Sequence, residues 1–571
     1  MELVLDMETK DPYIEEGLGS GWPFYKEGRL QILCAAYKVD QQQEEVTEDM
    51  SLLLDLVSKA SAIICHNVNY DVGLLHALGA DYSEAIIVDT IQLAKLNNNN
   101  LFDYSLDTLS KEFFNEGKTS DKLGAIAVEL GLVKTKAQNP NTVAMRNTEL
   151  IYKHDPVTVQ MYAKQDVALT RRLYDKLKSV DIDLKFYSDL NKAVIAARAE
   201  GVRVDLKRAQ EVEQILTEKM KELEYVIEDL APGVNVNSSK QLAEYFTAQG
   251  VEFPTTDKGN PSITKEFLAT CAHPIAQAIN KFKKYEKAVR DFIEPVLRGG
   301  RDRVYPELKI FGAAATGRMS CAQPNTQQIP KRDEEIGSLV RSIYLPEEGE
   351  KWYSLDFSSQ EPRLQIHFAS LLNAPKVDEL VEAYKENPKY DLHKWTASLM
   401  FGVSESGVTK DQRNQAKTIN LGLAYGMGVV KLATSMHIPV SHAQNLLNTY
   451  HVRVPFMKYL TTMCASAMRK RGYLKTLGGR LVKDDGFSHK AMNKLIQGSA
   501  SDQTYACMVE MYRRGIKFKF PIHDSIEISA KDTILIKEVK DIMENTVKLV
   551  VPSLTDVECG DTWGSLEKVS L

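Results

Sequence analysis

The stretch KWYSLDFSSQEPR (351–363) reads as a strand up to a carboxylate, Asp356. Farther on, FKFPIHDSIEIS (518–529) holds two short alternating runs that meet at His523 and Asp524. Three such runs predict a small antiparallel sheet. Folding it would bring Asp356, at a strand end, beside Asp524, in a turn. Paired carboxylates supply hard oxygen ligands suited to Mg²⁺ or Mn²⁺. Two such ions about 3.5–4 Å apart serve phosphoryl transfer by activating one oxygen and stabilising another.

Between these strands, residues 376 to about 510 are predominantly helical in pattern. RNQAKTINLGLAYG (413–426) places Arg413, Lys417, Leu421 and Tyr425 at successive i, i+4 steps, so they form one stripe. Two cations followed by an apolar and an aromatic group match a triphosphate along one half and a sugar and base along the other. Taken alone, the helix reads equally as two exposed cations beside a buried Leu/Tyr edge.

A second carboxylate set lies near the N-terminus. Asp6 and Glu8 (LDMET, 5–9) are two apart in a strand-like run and share a sheet face. Asn67 with Asp71 (HNVNYD, 66–71), and Tyr162 with Asp166 (YAKQD, 162–166), have the i, i+4 spacing of one helix face. Each pair alone reads as solvated acids. All three, in this order within one domain, point to a second site for divalent ions, with Tyr162 placed to orient a water.

The 571 residues exceed one ordinary core and predict several domains. Residues 1 to about 185 alternate strand-like runs (ELVLDM, LQILCAAYKV, AIICHN, AIIVDT) with helical stretches, an α/β pattern. From Phe186 to about Arg298 the pattern is that of an extended helical arm. No apolar run approaches the roughly 20 residues of a membrane span, so no membrane partner is expected. The start shows no secretory signal, which predicts a cytoplasmic protein. Seven dispersed cysteines without a C-x-x-C pair predict free thiols and no zinc site. The net charge of −6 does not advertise nucleic-acid binding, but acids at metal sites can mask local basic strips. Lys281-Phe282-Lys283-Lys284 and Arg469-Lys470-Arg471 are two such strips, and either reads equally as a solvated helix face.

The N-terminal pairs, with VDT (88–90) and SLDTL (105–109), resemble the RNase H-like 3′–5′ proofreading exonuclease of the DEDD superfamily in its tyrosine-containing variant. DFSSQEPR resembles motif A, RNQAKTINLGLAYG motif B and PIHDS motif C of family A (DNA polymerase I-like) DNA polymerases, especially phage members with a proofreading domain. EGVRVD (200–205), VNVNSSKQL (234–242), GNPS (259–262), TGRMSCAQPNTQQIP (316–330), DLHKWTA (391–397), NKLIQGSASD (493–502) and GDTWG (560–564) extend the likeness over essentially the whole chain.

The resemblance implies an α/β and α+β multidomain protein. An exonuclease at 1–185 precedes a right hand with thumb 186–310, palm 311–375 and 481–571, and fingers 376–480. It implies template-directed DNA synthesis from deoxynucleoside triphosphates on primer–template DNA, using two Mg²⁺ per active site with Mn²⁺ as substitute, in phage replication within an infected cell. Asp356 and Asp524 become the polymerase metal ligands, and Asp6, Glu8 and Asp166, with Asp71 and Tyr162, the exonuclease set. Arg413 and Lys417 become triphosphate contacts, Leu421 and Tyr425 line the nascent pair, and Glu361 bars a ribose 2′-hydroxyl. Arg318, Asn493, Gln497 and His523 become DNA contacts.

Three departures stand out. Ser525 replaces a usual glutamate after the motif C aspartate, Leu421 an aromatic residue, and Pro362 an aliphatic one. A single-subunit RNA polymerase shares the palm logic, but Glu361 and the N-terminal carboxylates argue against it. A catalytically dead DNA-binding clamp would need neither carboxylate set.

Overall fold

The computed structural model describes residues 1–571 except 119, 332, 425 and 426, and leaves out the side chain of Ala424. The N-terminal sheet comprises β1 (Glu2–Lys10), β2 (Gln31–Val39), β3 (Glu45–Thr47), β4 (Ala62–Cys65) and β5 (Ile86–Asp89) in the order β3-β2-β1-β4-β5. β1 runs antiparallel to β2 and parallel to β4. Strand alternation sorts its residues. Leu3, Leu5 and Met7 join the core that includes Val68, Val72 and Leu75 of helix α1 (Val68–Ala77). Val4 instead packs with Ala163, Val167 and Leu173. These belong to a helix over Pro156–Leu177, which starts at a proline and is capped by the Asp155 carboxylate accepting from Thr158 N at 3.1 Å. Asp6 and Glu8 follow Val4 on that face, towards Tyr162 and Asp166 of this helix.

In chain order the remaining helices that matter are α2 (Leu106–Phe114), α3 (Pro156–Leu177), α4 (Leu184–Glu200), α5 (Leu206–Leu230), α6 (Pro274–Ala288), α7 (Gln360–Leu371), α8 (Leu392–Phe401), α9 (Lys410–Ala424), α10 (Pro455–Arg471) and α11 (Ala491–Arg513). The segment 191–200, read as part of the arm, belongs instead to α4, which is buried along most of its length. α4 packs on β5, α1 and α11, binding the N-terminal layer to the rest. Its polar residues are matched: Ser188 accepts from Ile87 N at 2.9 Å, Asn191 exchanges two hydrogen bonds with Gln92, and Arg513 pairs with Asp189 at 2.8 Å. The helical arm proper begins with α5, which packs against α6.

The C-terminal sheet contains β6 (Lys351–Phe357), β9 (Phe520–Ile522), β10 (Ser525–Ala530), β11 (Thr555–Gly560) and β12 (Glu567–Val569), in the order β9-β10-β6-β11-β12. All its pairings are antiparallel, as the sequence pattern predicts, with β11 and β12 added from the C-terminus. A hairpin of β7 (Tyr473–Lys475) and β8 (Leu481–Lys483) stands apart. The described cysteines are free thiols, and among the described residues no helix is long and apolar enough to cross a membrane.

Arg480 and Asp502 pin this hairpin to α11. Each side chain is only 7% exposed, Asp502 also accepts from Gly478 N at 2.9 Å, and Arg480 donates to Gly498 O at 2.8 Å. Losing one partner strands a buried charge. Arg480→Met should therefore cost about 3–5 kcal/mol, seen as a lower denaturation midpoint; an unchanged midpoint would contradict this role.

Candidate active sites

In the C-terminal sheet, Asp356 sits opposite Ser525, and the adjoining turn is held to β6 by Phe357 N donating to Asp524 O at 3.0 Å. His523, just before, adopts a left-handed φ of 56°, which turns the chain sharply at this point. Burial, and then the neighbouring Asp524 charge, push the Asp356 carboxyl up to about 6, and burial also raises Asp524. Lys331 opposes this, lying 3.5 Å from Asp356 and 3.3 Å from Glu558. The pair opens into a cleft of about 800 Å³ lined across from it by Lys284, Lys287 and Phe292. Lys284 belongs to one of the two basic strips and thus faces the cleft, although it also lies 3.7 Å from Asp333.

Of the other expected residues, Glu361 and Arg318 act on Asp524, and Asn493 and Gln497 lie on α11, whose Thr504 reaches His523. Glu361, in the first turn of α7, accepts from Arg318 at 2.8 Å. Gln497 donates to Asn493 at 2.9 Å on α11, and Thr504 donates to His523 O at 3.3 Å. Sequence reasoning missed Glu527, two residues beyond Ser525 on the same strand face. Its carboxylate is 1% exposed and accepts from Trp352 Nε1 at 2.7 Å, Ser354 Oγ at 2.8 Å and Ser525 Oγ at 3.1 Å. The glutamate absent at 525 thus has a carboxyl counterpart one pleat away, lining the same cleft, which burial raises above the ordinary carboxylate range and its three donors pull back down.

A second cavity of about 530 Å³ runs between Ser358, Ser359 and Pro362 on one side and His393 and Arg413 on the other. Arg413 pairs with Asp391 at 2.6 Å, Lys417 is exposed, and Leu421 is half-buried. Leu423 rather than Leu421 packs on the surrounding helical core. Tyr425 lies outside the described residues. His393 is a further missed residue: it makes a 3.1 Å hydrogen bond with Asn420, and burial lowers it to about 4, so the ring is neutral. The DLHKWTA stretch contained it, but a lone histidine carries no distinctive spacing.

At the N-terminal cluster, Asp71 is 3% exposed and accepts from Met7 N at 3.0 Å. Burial first, and mutual repulsion second, push Asp6 up to about 7 and hold Glu8 and Asp71 well above the usual carboxylate range. Asp166 pairs with Lys118, whose ammonium also lies 4.6 Å from the centre of the Tyr162 ring. Lys118 arrives on a loop whose backbone N donates to Asp107 at 2.8 Å, and nothing in sequence spacing marks it. Asn67 and Asp71 do not share a helix face, because Asn67 is the left-handed residue (φ 86°) ahead of α1.

Both sites offer the oxygen-only donor set that divalent Mg²⁺ or Mn²⁺ favours. Asp166 Oδ1 is buried with no hydrogen-bond partner, an acceptor that a cation would satisfy. The raised carboxyls likewise lack sufficient positive charge. Among the described residues, however, no three ligating groups close to metal-binding spacing, and Lys118 at one site and Lys331 with Arg318 at the other oppose the negative charge.

Comparison with known proteins accords with this architecture. Residues 206–565 match the description "DNA polymerase family A". The chain is 29% identical to a DNA-directed DNA polymerase of Pseudomonas phage M6, over 87% of this chain and 82% of that one. It is also 29% identical to DNA polymerase DpoZ of Salmonella phage PMBT28, over 95% and 94% of the two chains. Its fold is similar to the POL domain of Pol1 from M. smegmatis, solved with DNA primer-template and dNTP, at a TM-score of 0.73 and 20% identity over 94% of each chain. The match to more than half of the sequence, carrying both halves of the Asp356–Asp524 site, makes this chain a member of DNA polymerase family A.

Proposed function

We propose that this chain extends DNA primers at Asp356 and Asp524 and removes nucleotides from 3′ ends at the Asp6, Glu8, Asp71 and Asp166 cluster, in the replication of a phage genome. The observation that carries this reading is the presence of two carboxylate clusters on two separate sheets, each lining its own cleft. In this reading residues 1–185 form the exonuclease, 186–310 the thumb, 311–375 and 481–571 the palm, and 376–480 the fingers. α4, at the start of the 186–310 segment, serves as the buried joint between exonuclease and palm, and the thumb proper begins at α5. The relatives' phage hosts suggest the cytoplasm of an infected bacterium as the setting.

Asp356 and Asp524 would hold Mg²⁺, with Mn²⁺ as substitute, and bound metal supplies Lewis-acid activation of the primer 3′-OH and stabilisation of the departing oxygen. Lys331 has to yield Asp356 as the site fills. Arg413 and Lys417 receive the triphosphate, Arg413 exchanging Asp391 for phosphate oxygens in a charge-assisted contact. Glu361, steadied by Arg318, fills the space a 2′-hydroxyl would need. Leu421 gives the sugar an apolar wall without a donor or acceptor. Arg318, Asn493, Gln497 and His523 contact primer–template DNA. In the other cleft, Tyr162 orients the attacking water beside Asp166.

The single-subunit RNA polymerase reading fails if deoxynucleotides are the preferred substrates. Asp356→Ala or Asp524→Ala should reduce primer extension to background while sparing degradation of single strands, and Asp6→Ala or Glu8→Ala should do the reverse. Loss of both activities in any one folded variant would overturn the two-site assignment.

Glu527 gives a finer test. Its anion orients Ser525 and Ser354 and adds negative charge behind Asp356, so Glu527→Gln should raise the metal concentration needed for half-maximal extension by about 10- to 100-fold, with little change in melting temperature. A variant that loses stability but keeps the wild-type metal requirement would show that Glu527 only holds the sheet together.

A further inference from the structure

Lys331 enters the Asp356–Asp524 cleft from a link whose backbone is held on several sides. Before it, Gln327 donates to Pro521 O at 3.0 Å, tying the link to the strand that leads into Asp524. The buried Arg341 donates to Ile329 O at 3.2 Å. Gly337 sits against Pro330, and a Cβ there would lie 2.3 Å from the Pro330 carbonyl oxygen. After it, Asp333 caps the helix Glu334–Arg341 by accepting from Ile336 N at 3.1 Å. A lysine on a free loop spreads over many positions, whereas this one starts from a fixed base.

Its ammonium stands between two carboxylates, 3.5 Å from Asp356 Oδ2 and 3.3 Å from Glu558 Oε2. Strand register explains this geometry. Glu558 on β11 pairs with Ser354, two residues before Asp356 on β6, so both carboxylates rise from one face of the sheet, one pleat apart. Among the described residues Glu558 has no ion-pair partner besides Lys331, although its side chain is only 22% exposed. Nor does it complete a metal-binding group with Asp356 and Asp524 there. Its visible role is therefore to hold the lysine.

When a divalent cation takes Asp356, the Lys331 ammonium has to leave that carboxylate. Left in the cleft, it would settle beside Asp524 or Glu527 and oppose the incoming charge. Glu558 offers another acceptor, on the side of β6 away from β10 and Asp524. We infer that Glu558 is a positioning residue for the Asp356–Asp524 site: it draws Lys331 off Asp356 as a divalent cation enters and keeps it within reach to neutralise Asp356 when the cation leaves. Groups outside the ligand set commonly tune metal affinity in this way. The inference rests on the reading of Asp356 and Asp524 as the carboxylates that hold metal.

The test measures Mn²⁺ binding to the full-length protein by electron paramagnetic resonance, without DNA or nucleotide. The part of the isotherm that disappears in Asp356→Ala belongs to this site. Lys331→Met should tighten that part about three- to tenfold, because a competing charge is gone. Glu558→Gln should weaken it by a similar factor, because Lys331 then has Asp356 alone to pair with. In the Lys331→Met background, Glu558→Gln should shift it by about twofold at most, since Glu558 acts through Lys331. Both substitutions keep side-chain length, and melting curves in EDTA verify folding. Equal Mn²⁺ affinity of the wild type and Lys331→Met overturns the inference. So does an equal effect of Glu558→Gln in both backgrounds, which would place Glu558 on the metal itself. If no part of the isotherm depends on Asp356, the metal reading of this cleft fails and the role of Glu558 falls with it.

Discussion

Crowded carboxylates are the constraint around which both halves of this molecule are arranged. Glu8, Asp71 and Asp166 are buried and Asp6 half-buried where β1 meets α1 and α3, while Asp356 and Asp524 are half-buried at the end of the C-terminal sheet. Burial and like-charge repulsion hold Asp6 up to about 7 and Asp356 up to about 6. A carboxyl raised on folding costs stability while it is ionised. That cost is full above the raised value and disappears as the pH falls to the ordinary carboxylate range. A divalent cation relieves the same cost at neutral pH. Lys118 supplies one positive charge at the first cluster, and Lys331 and Arg318 supply two at the second, where Glu361 and Glu558 add to the charge of Asp356 and Asp524.

The surrounding fold holds these groups in place against their repulsion. β1 is a central strand, its alternation directing Leu3, Leu5 and Met7 into one core and Val4, Asp6 and Glu8 towards α3. β6 is likewise central, paired along its length with β10 and β11, so Asp356 cannot retreat. Glu527 sits behind it, its carboxyl raised by burial and held by hydrogen bonds from Trp352, Ser354 and Ser525. α4 then links the N-terminal sheet to α11 through matched polar contacts, which gives the two carboxylate clusters a defined spatial relation.

Much of this was legible in the sequence, for local reasons. Period-two alternation located β1 and β6, and i, i+4 spacing placed Tyr162 with Asp166 and Arg413 with Lys417, because strand and helix geometry act over a few residues. The reading failed where tertiary packing decided. α4 has the charged, amphipathic look of an arm, but its Ser188, Asn191 and Arg198 find partners far away in the chain, so a polar helix becomes an interior one. Lys118, Lys331, Glu527 and His393 were missed because their roles come from what they meet across the fold. Asn67 was misplaced because the helix begins one residue later, with a left-handed residue ahead of it.

The central claim is that Asp356 and Asp524 make this chain a metal-dependent, template-directed DNA polymerase. The most direct measurement is single-turnover extension of a matched primer–template by the wild-type protein, supplied with one nucleotide at a time. The account predicts addition only of the deoxynucleotide complementary to the template, in Mg²⁺ and not in EDTA, with ribonucleotides strongly disfavoured. Addition regardless of template, equal use of ribonucleotides, or no extension by the folded protein would contradict it.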